Sequence, residues 1–183
     1  MIKTKADLKE YIKLDNALYY KLTLKQRLIS RFCKYPEFEI MRFLKCLRYT
    51  EYYYNLCQKS KLNLIKAMCY ERKKNKIGYK LGIEIGINCF GKGLTIYHGG
   101  NIVVNPSARV GENCQLHGGN CIGNNGKIDV NPVIGNNVDI GFGACVIGDV
   151  RIADGVKIGS NAVVVKHCDE PDKTLVGIPA KMI

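Results

Sequence analysis

The chain contains three histidines, and one of them lies in a setting suited to chemistry. His98 stands between Tyr97 and a Gly99-Gly100 pair, which indicates a tight turn where the backbone can approach a ligand closely. Imidazole has an unperturbed pKa of about 6.5, so a free histidine is largely neutral at pH 7 and can accept a proton from an alcohol. His98 could therefore act as a general base, or it could be a solvated or hydrogen-bonded histidine with no chemical role.

Two further residues could join His98. A histidine base usually needs an orienting carboxylate, and the nearest carboxylate before it in sequence is Glu84. Glu84 could equally be a surface residue of a first strand. His117 follows His98 by 19 residues and could line the same cleft or bond a neighbouring backbone group. His167 is expected at the surface.

These residues are embedded in a six-residue repeat of apolar side chains. Neither a helix nor an ordinary strand repeats every six residues, because their periods are about 3.6 and 2. The repeat predicts the flat faces of a parallel β-helix, with three faces in each coil of roughly 18 residues. The eleven apolar positions are Val104, Val110, Leu116, Ile122, Ile128, Ile134, Ile140, Val146, Ile152, Ile158 and Val164.

The first part of the chain has a helical pattern instead. Thr4 with Asp7 and Thr23 with Gln26 resemble capping boxes, and Pro36 suits a first helical turn. We expect a basic α-helical region over residues 1–77 and a β-helix over residues 78–183. The segment 124–133 is either a regular coil or a small loop whose length preserves the register. Residues 171–183 are expected to leave the ladder and fold back along the last coil.

Composition restricts the function classes. No apolar run approaches the roughly 18 residues of a membrane span, and the first residues do not resemble a signal peptide, so we expect a cytoplasmic protein. The nine cysteines are odd in number and include no Cys-x-x-Cys pair, which favours reduced thiols.

The net charge of +12 is unevenly distributed. Residues 1–80 hold 20 Lys and Arg against 7 Asp and Glu, whereas the remainder is nearly neutral. This surface is either a solvated helical face or a contact for an anionic partner, such as the inner face of the membrane or an acidic glycan. No nucleic-acid-binding motif accompanies it.

The repeat, the Tyr97-His98-Gly99-Gly100 turn and the Gly177-Ile178-Pro179-Ala180-Lys181 ending together resemble hexapeptide-repeat acyltransferases. The resemblance is to the serine acetyltransferase branch, and within it to relatives in capsule and exopolysaccharide synthesis. It implies a mainly β protein with a left-handed parallel β-helix and an N-terminal α-helical region. It also implies a homotrimer with active sites between subunits, and acetyl-CoA as the acetyl donor.

The resemblance also implies roles for individual residues. His98 matches the family's catalytic base, which would activate a hydroxyl for direct attack on the thioester. Glu84 matches the orienting carboxylate if one gap is allowed. Five positions match residues that contact coenzyme A in the family: Gly141, Gly143, Ser160, Lys166 and Lys181.

The acceptor is the point on which the resemblance is incomplete. The serine-acetylating branch carries an Asp-Arg-His-Pro motif, whereas this chain has Asp129-Val130-Asn131-Pro132. Loss of the arginine and the histidine removes complementarity to an amino-acid carboxylate. We therefore expect a saccharide acceptor, with His117 and Asn131 as substrate-binding residues.

Three alternatives remain open at this stage. The first is serine O-acetylation, and the second is a trimeric β-helix scaffold without catalysis. The third is a zinc site shared between subunits, which needs three convergent imidazoles. The histidines here include no closely spaced pair, so the sequence predicts no metal.

Overall fold

The computed structural model describes residues 1–126 and 130–183. The chain divides into two compact units, Met1–Gly82 and Ile83–Ile183. The first unit is helical and the second consists of short parallel strands. We describe each unit separately.

The helical unit contains five α-helices and one short 3-10 turn. The helices are α1 (Lys5–Asp15), α2 (Ala17–Tyr20), α3 (Leu24–Cys33), α4 (Pro36–Asn55) and α5 (Lys61–Leu81), and the 3-10 turn is Cys57–Lys59. Both predicted capping boxes are present, because Thr4 and Thr23 accept the backbone N–H of Asp7 and Gln26 respectively. Pro36 begins α4, where the missing N–H of proline carries no penalty.

A buried ion cluster joins α1 to α4. Arg48 Nε donates to Asp15 Oδ2 at 2.6 Å, and Arg48 Nη1 donates to Glu51 Oε2 at 2.9 Å. The three side chains are at most 2% exposed. The Tyr11 ring lies 4.9 Å from the guanidinium carbon. Apolar residues of α4 are also buried, among them Phe43.

The described residues of the second unit form fourteen strands in three sheets. The strands are β1 (Ile83–Ile85), β2 (Thr95–Ile96), β3 (Ile102–Val104), β4 (Arg109–Val110), β5 (Gln115–Leu116), β6 (Cys121–Gly123), β7 (Val133–Ile134), β8 (Asp139–Ile140), β9 (Cys145–Ile147), β10 (Arg151–Ile152), β11 (Lys157–Ile158), β12 (Val163–Val164), β13 (Thr174–Gly177) and β14 (Ala180–Met182). Sheet A is β1-β3-β6-β9-β12, sheet B is β4-β7-β10, and sheet C is β2-β5-β8-β11-β13-β14. The chain visits A, B and C in turn, which is a parallel β-helix.

The apolar ladder forms the core of this β-helix. Ten of its eleven positions are buried, and the eleventh, Ile128, lies outside the described residues. The buried side chains stack in three columns. Burial of each large apolar side chain stabilises the fold by about 1.5–3 kcal/mol relative to its exposure to water. The columns are Ile85-Val104-Ile122-Val146-Val164, Phe90-Val110-Ile134-Ile152-Cys168 and Ile96-Leu116-Ile140-Ile158-Leu175.

Two insertions interrupt the regular coil. Ile96 and Val104 occupy successive faces but are eight residues apart, so the corner that contains His98 holds two extra residues. Ile122 and Ile134 are twelve residues apart, so six extra residues lie between β6 and β7. The six extra residues preserve the six-residue phase, and residues 127–129 of the segment 124–133 lie outside the described residues.

The C-terminal segment extends the ladder before it turns back. Cys168 bridges to Ile152, and Leu175 in β13 pairs with Ile158. The last coil is shorter than 18 residues, which is why the strict repeat did not include these positions. Strand β14 then runs antiparallel to β13, as the expected fold-back requires.

All nine cysteines are free thiols. Cys114 lies in the core. Its burial is the larger cause of a raised pKa of the thiol, and the negative charge of the nearby Asp139 is the smaller one. Across the part of the chain that the structure covers, no helix is long and apolar enough to cross a membrane.

Candidate active site

His98 lies on the corner where the chain passes from sheet C to sheet A. We call this ridge the histidine corner; it comprises residues 97–101, 117–120, 141–143 and 159–161 of successive coils. Backbone hydrogen bonds of 2.8 Å hold the turns together, from Gly119 N to Gly100 O, from Gly143 N to Gly118 O and from Asn161 N to Phe142 O. The corner is thus a continuous surface that runs from His98 along the stack.

The side chain of His98 is exposed because Ile96, not His98, occupies the core position of this face. Glu84 is also exposed and pairs with Val103 in sheet A. Within the described residues, Glu84 makes no hydrogen bond or ion pair with His98. The predicted orienting contact is therefore not present in this chain alone.

A histidine–carboxylate pair does exist, one coil further along. His117 Nε2 lies 2.8 Å from Asp139 Oδ1, and the two side chains are 38% and 35% exposed. An ionised carboxylate only accepts hydrogen bonds, so this contact places the proton of a neutral His117 on Nε2 and leaves Nδ1 as an acceptor. The sequence analysis selected His117 but missed Asp139.

Tyr97 connects this pair to His98. The rings of Tyr97 and His117 are stacked with centroids 4.6 Å apart and planes inclined by 27°. The Tyr97 hydroxyl donates to Gln115 Oε1 at 2.8 Å, which fixes the tyrosine ring. Tyr97 is bonded directly to His98 in the chain, so the stacked pair and His98 share one end of the histidine corner.

Three of the five predicted coenzyme A residues lie on the same corner. Gly141, Gly143 and Ser160 occupy its next two turns. A Cβ added at Gly141 would lie 2.7 Å from Ser160 N, so packing between coils already requires glycine there. Gly143 has a φ of +72°, a region that favours glycine.

An aromatic side chain that the sequence analysis did not select borders this surface. Phe142 is 54% exposed. Its Cε2 atom would lie 3.2 Å from a Cβ added at Gly118, while His98 O would lie 3.3 Å from the same position. Phe142 therefore covers the two glycines of the preceding turn, next to His98.

The other predicted residues lie elsewhere. Lys166 follows β12 on the corner between sheets A and B, and Lys181 pairs with Val176 at the edge of sheet C. His167 also follows β12, is exposed, and accepts the backbone N–H of Arg151 at 3.0 Å. These residues are not gathered at the histidine corner.

Asn131 belongs to the six-residue insertion between sheets A and B. Its Oδ1 atom is buried without a hydrogen-bond partner. Val130 is 40% exposed, and Asp129 of the same motif lies outside the described residues. Because the insertion leaves a different corner of the coil, the chain itself does not bring Asn131 to His98.

A search over residues 1–126 and 130–183 finds no group of three His, Cys, Asp or Glu side chains that could hold a metal ion. His98, His117 and His167 do not converge, since His167 lies on a different corner.

The β-helical part of the chain is similar in sequence to serine acetyltransferases. A serine acetyltransferase from Synechococcus elongatus is 39% identical over 105 residues, which cover 56% of this chain and 43% of that protein. The chain thus spans less than half the length of this curated relative. No protein-family model matches the chain.

Solved structures extend the likeness to the whole fold. Apo serine acetyltransferase from soybean matches 98% of this chain and 70% of its own, with a TM-score of 0.72 and 23% identity. A serine acetyltransferase in complex with CoA matches 78% of this chain and 57% of its own, with a TM-score of 0.62 and 22% identity. These matches confirm the predicted left-handed parallel β-helix with an N-terminal helical region.

The comparisons also correct the sequence analysis. The resemblance to hexapeptide-repeat acetyltransferases is confirmed, but closeness to capsule enzymes finds no support. The expected saccharide acceptor is wrong, because the relatives are serine acetyltransferases. That expectation rested on Val130 and Asn131, which lie between β6 and β7, on another corner of the coil. The β-helix of this chain is therefore similar in sequence and fold to serine acetyltransferases.

Proposed function

We propose that this protein is an O-acetyltransferase that transfers the acetyl group of acetyl-CoA to the hydroxyl of serine. The observation that carries the proposal is the histidine corner, where an exposed histidine begins a continuous ridge that includes Gly141, Gly143 and Ser160. The 39% identity with a serine acetyltransferase over the β-helix supports the same reaction.

His98 is the general base in this proposal. It accepts the proton of the serine hydroxyl while the oxygen attacks the thioester carbonyl, and the tetrahedral intermediate then releases the CoA thiolate, which recovers the proton. The orienting role predicted for Glu84 stays a prediction. A Glu84→Gln variant tests it, because loss of an orienting carboxylate lowers kcat more than it changes KM.

Acetyl-CoA is the co-substrate that this corner would hold. Its acyl end must reach His98, so the rest of the molecule would extend along the turns of Gly141, Gly143 and Ser160, past the exposed Phe142 ring. Lys166 and Lys181 are exposed cations that could bind the phosphates of acetyl-CoA. The contact of each lysine with coenzyme A stays a prediction.

The assembly and location follow from the same resemblance. We propose a homotrimer with sites between subunits, where the insertion carrying Asn131 would bring this residue and His117 to an acceptor. Light scattering of the purified protein measures the mass that tests the trimer.

The helical unit supplies a cationic surface in a cytoplasmic protein. Lys34, Arg42, Lys73, Lys76 and Lys80 line one open cleft, whose acidic member Glu39 is paired with Arg42. We propose an anionic membrane surface as its partner. Co-sedimentation with vesicles that contain phosphatidylserine, and its loss at high salt, tests this contact.

Release of the CoA thiol tests the reaction itself. The purified protein is given acetyl-CoA with serine, with a panel of saccharides, or with no acceptor. The proposal expects thiol release that depends on serine and the formation of O-acetylserine. Release without dependence on any acceptor, or no release at all, would leave the trimeric scaffold as the better account.

A further inference from the structure

We propose that His117 and Asp139 form a subsite that binds the ammonium group of the acceptor beside His98. This inference rests on the proposed function, because it names the chemical group by which an amino-acid acceptor is held. It concerns two side chains that the proposed acetyl transfer does not otherwise use for proton movement.

Two neighbouring side chains fix the orientation of the His117 ring. Asp139 fixes His117 through the 2.8 Å contact to Nε2, and Tyr97 stacks on the imidazole at 4.6 Å. Tyr97 is itself held by Gln115. A surface histidine constrained on two sides has lost side-chain entropy, which is expected of a residue that must present Nδ1 in one direction.

The His117–Asp139 pair has hydrogen-bond acceptors that are available to a ligand. Within the described residues, His117 Nδ1 and Asp139 Oδ2 have no hydrogen-bond partner. Both are acceptors when the carboxylate is ionised and the imidazole is neutral. A ligand group that binds Asp139 Oδ2 must donate a hydrogen bond, and so must any group that binds Nδ1, which lies on the side of the imidazole away from the carboxylate.

The negative charge of Asp139 favours a cationic ligand. Asp139 makes no ion pair with Lys or Arg among the described residues, so its negative charge is compensated by His117 alone when that ring is protonated. A carboxylate ligand would be repelled, whereas a primary ammonium would supply both positive charge and three N–H donors. The half-exposed environment strengthens this attraction relative to bulk water.

The position of the His117–Asp139 pair relates it to His98. Tyr97 is adjacent to His98 in sequence, and His98 O lies close to the Gly118 turn that follows His117. The backbone N–H of His117 donates to Ile140 O, which places it against the turn of Gly141. The pair therefore lies at the same end of the corner as the proposed base.

Asp139→Asn is the decisive variant. The amide oxygen can still accept from His117 Nε2, so the geometry is kept while the charge is removed. We expect the KM for serine to rise roughly tenfold or more, as loss of a charged hydrogen bond predicts, with the KM for acetyl-CoA unchanged. Asp149→Asn is the matched control, because Asp149 is an exposed carboxylate away from this corner.

An analogue without the ammonium group isolates the contact. The inhibition constant of 3-hydroxypropionate against serine should be the same in Asp139→Asn as in the wild type. If the variant weakens serine and 3-hydroxypropionate equally, or leaves the KM for serine unchanged, the subsite is refuted while serine acetylation stands. If the wild type itself does not acetylate serine, the proposed function fails and the subsite fails with it.

Discussion

Ile96 lies directly opposite Leu116 in neighbouring coils, and this pairing places His98 outside the core. Ile96 is 5% exposed and Leu116 is fully buried. Ile96, which stabilises the core, and His98, the proposed base, are therefore only two residues apart in the sequence. Ile96→Ala should lower the free energy of unfolding by about 2–5 kcal/mol, whereas His98→Ala should change it by less than about 0.5 kcal/mol. Urea unfolding of both variants provides the measurement, and an equally large loss in His98→Ala would show that His98 is structural.

Replacement of Arg48 by methionine should destabilise the helical unit. The change removes the guanidinium that pairs with the buried Asp15 and Glu51 carboxylates, which costs about 3–5 kcal/mol in comparable sites. Arg42→Met is the matched control, because the Arg42 side chain is 47% exposed and its pair with Glu39 is worth about 0–1 kcal/mol. Helical circular dichroism during urea unfolding measures both. Similar losses in the two variants would contradict the account of the buried cluster.

Two glycines of the β-helix should differ in how much an added methyl group destabilises the fold. A Cβ at Gly111 would lie 2.6 Å from Gly135 O, a backbone atom that cannot move without disturbing the next coil. A Cβ at Gly123 would first meet Asn105 Cβ at 3.5 Å, an ordinary contact. Gly111→Ala should cost about 1–3 kcal/mol and Gly123→Ala about 0.5 kcal/mol or less. Thermal unfolding of both variants tests this, and a neutral Gly111→Ala would mean that the coils are packed less closely than described.

Asp154 should contribute to the acid sensitivity of the β-helix. The backbone N–H of Asn136 donates to Asp154 Oδ1 at 2.7 Å, and this bond, followed by the Asn136 side chain, lowers the pKa of the carboxyl. Because the folded pKa lies below the unfolded one, the stabilisation is present above the ordinary range of Asp and disappears as the pH falls through it. Asp154→Asn should therefore weaken the dependence of stability on pH in the acid range. An unchanged pH dependence in Asp154→Asn would contradict this role.

The six-residue repeat predicts the β-helix and its buried columns because each apolar side chain must point into a narrow core. It could not predict the insertion of six residues, since an insertion of that length leaves the phase of Ile134 and Ile140 unchanged. For the same reason Asp139 escaped notice: an 18-residue coil does not place it beside His117, whereas the observed 24-residue coil does. Asp139 lies opposite Gln115 across these 24 residues, which places it 22 residues after His117. The acceptor was mispredicted because the prediction depended on two residues, Val130 and Asn131, whereas the similarity to serine acetyltransferases extends over 105 residues.

The most direct test of the proposed chemistry is the rate at which His98→Ala releases the CoA thiol from acetyl-CoA in the presence of serine. His167→Ala is the control, because His167 lies on a different corner and accepts a backbone hydrogen bond. Loss of a general base should lower kcat about 10²–10⁴-fold in His98→Ala, while His167→Ala keeps the wild-type rate. Wild-type turnover of serine by a folded His98→Ala variant would contradict the account.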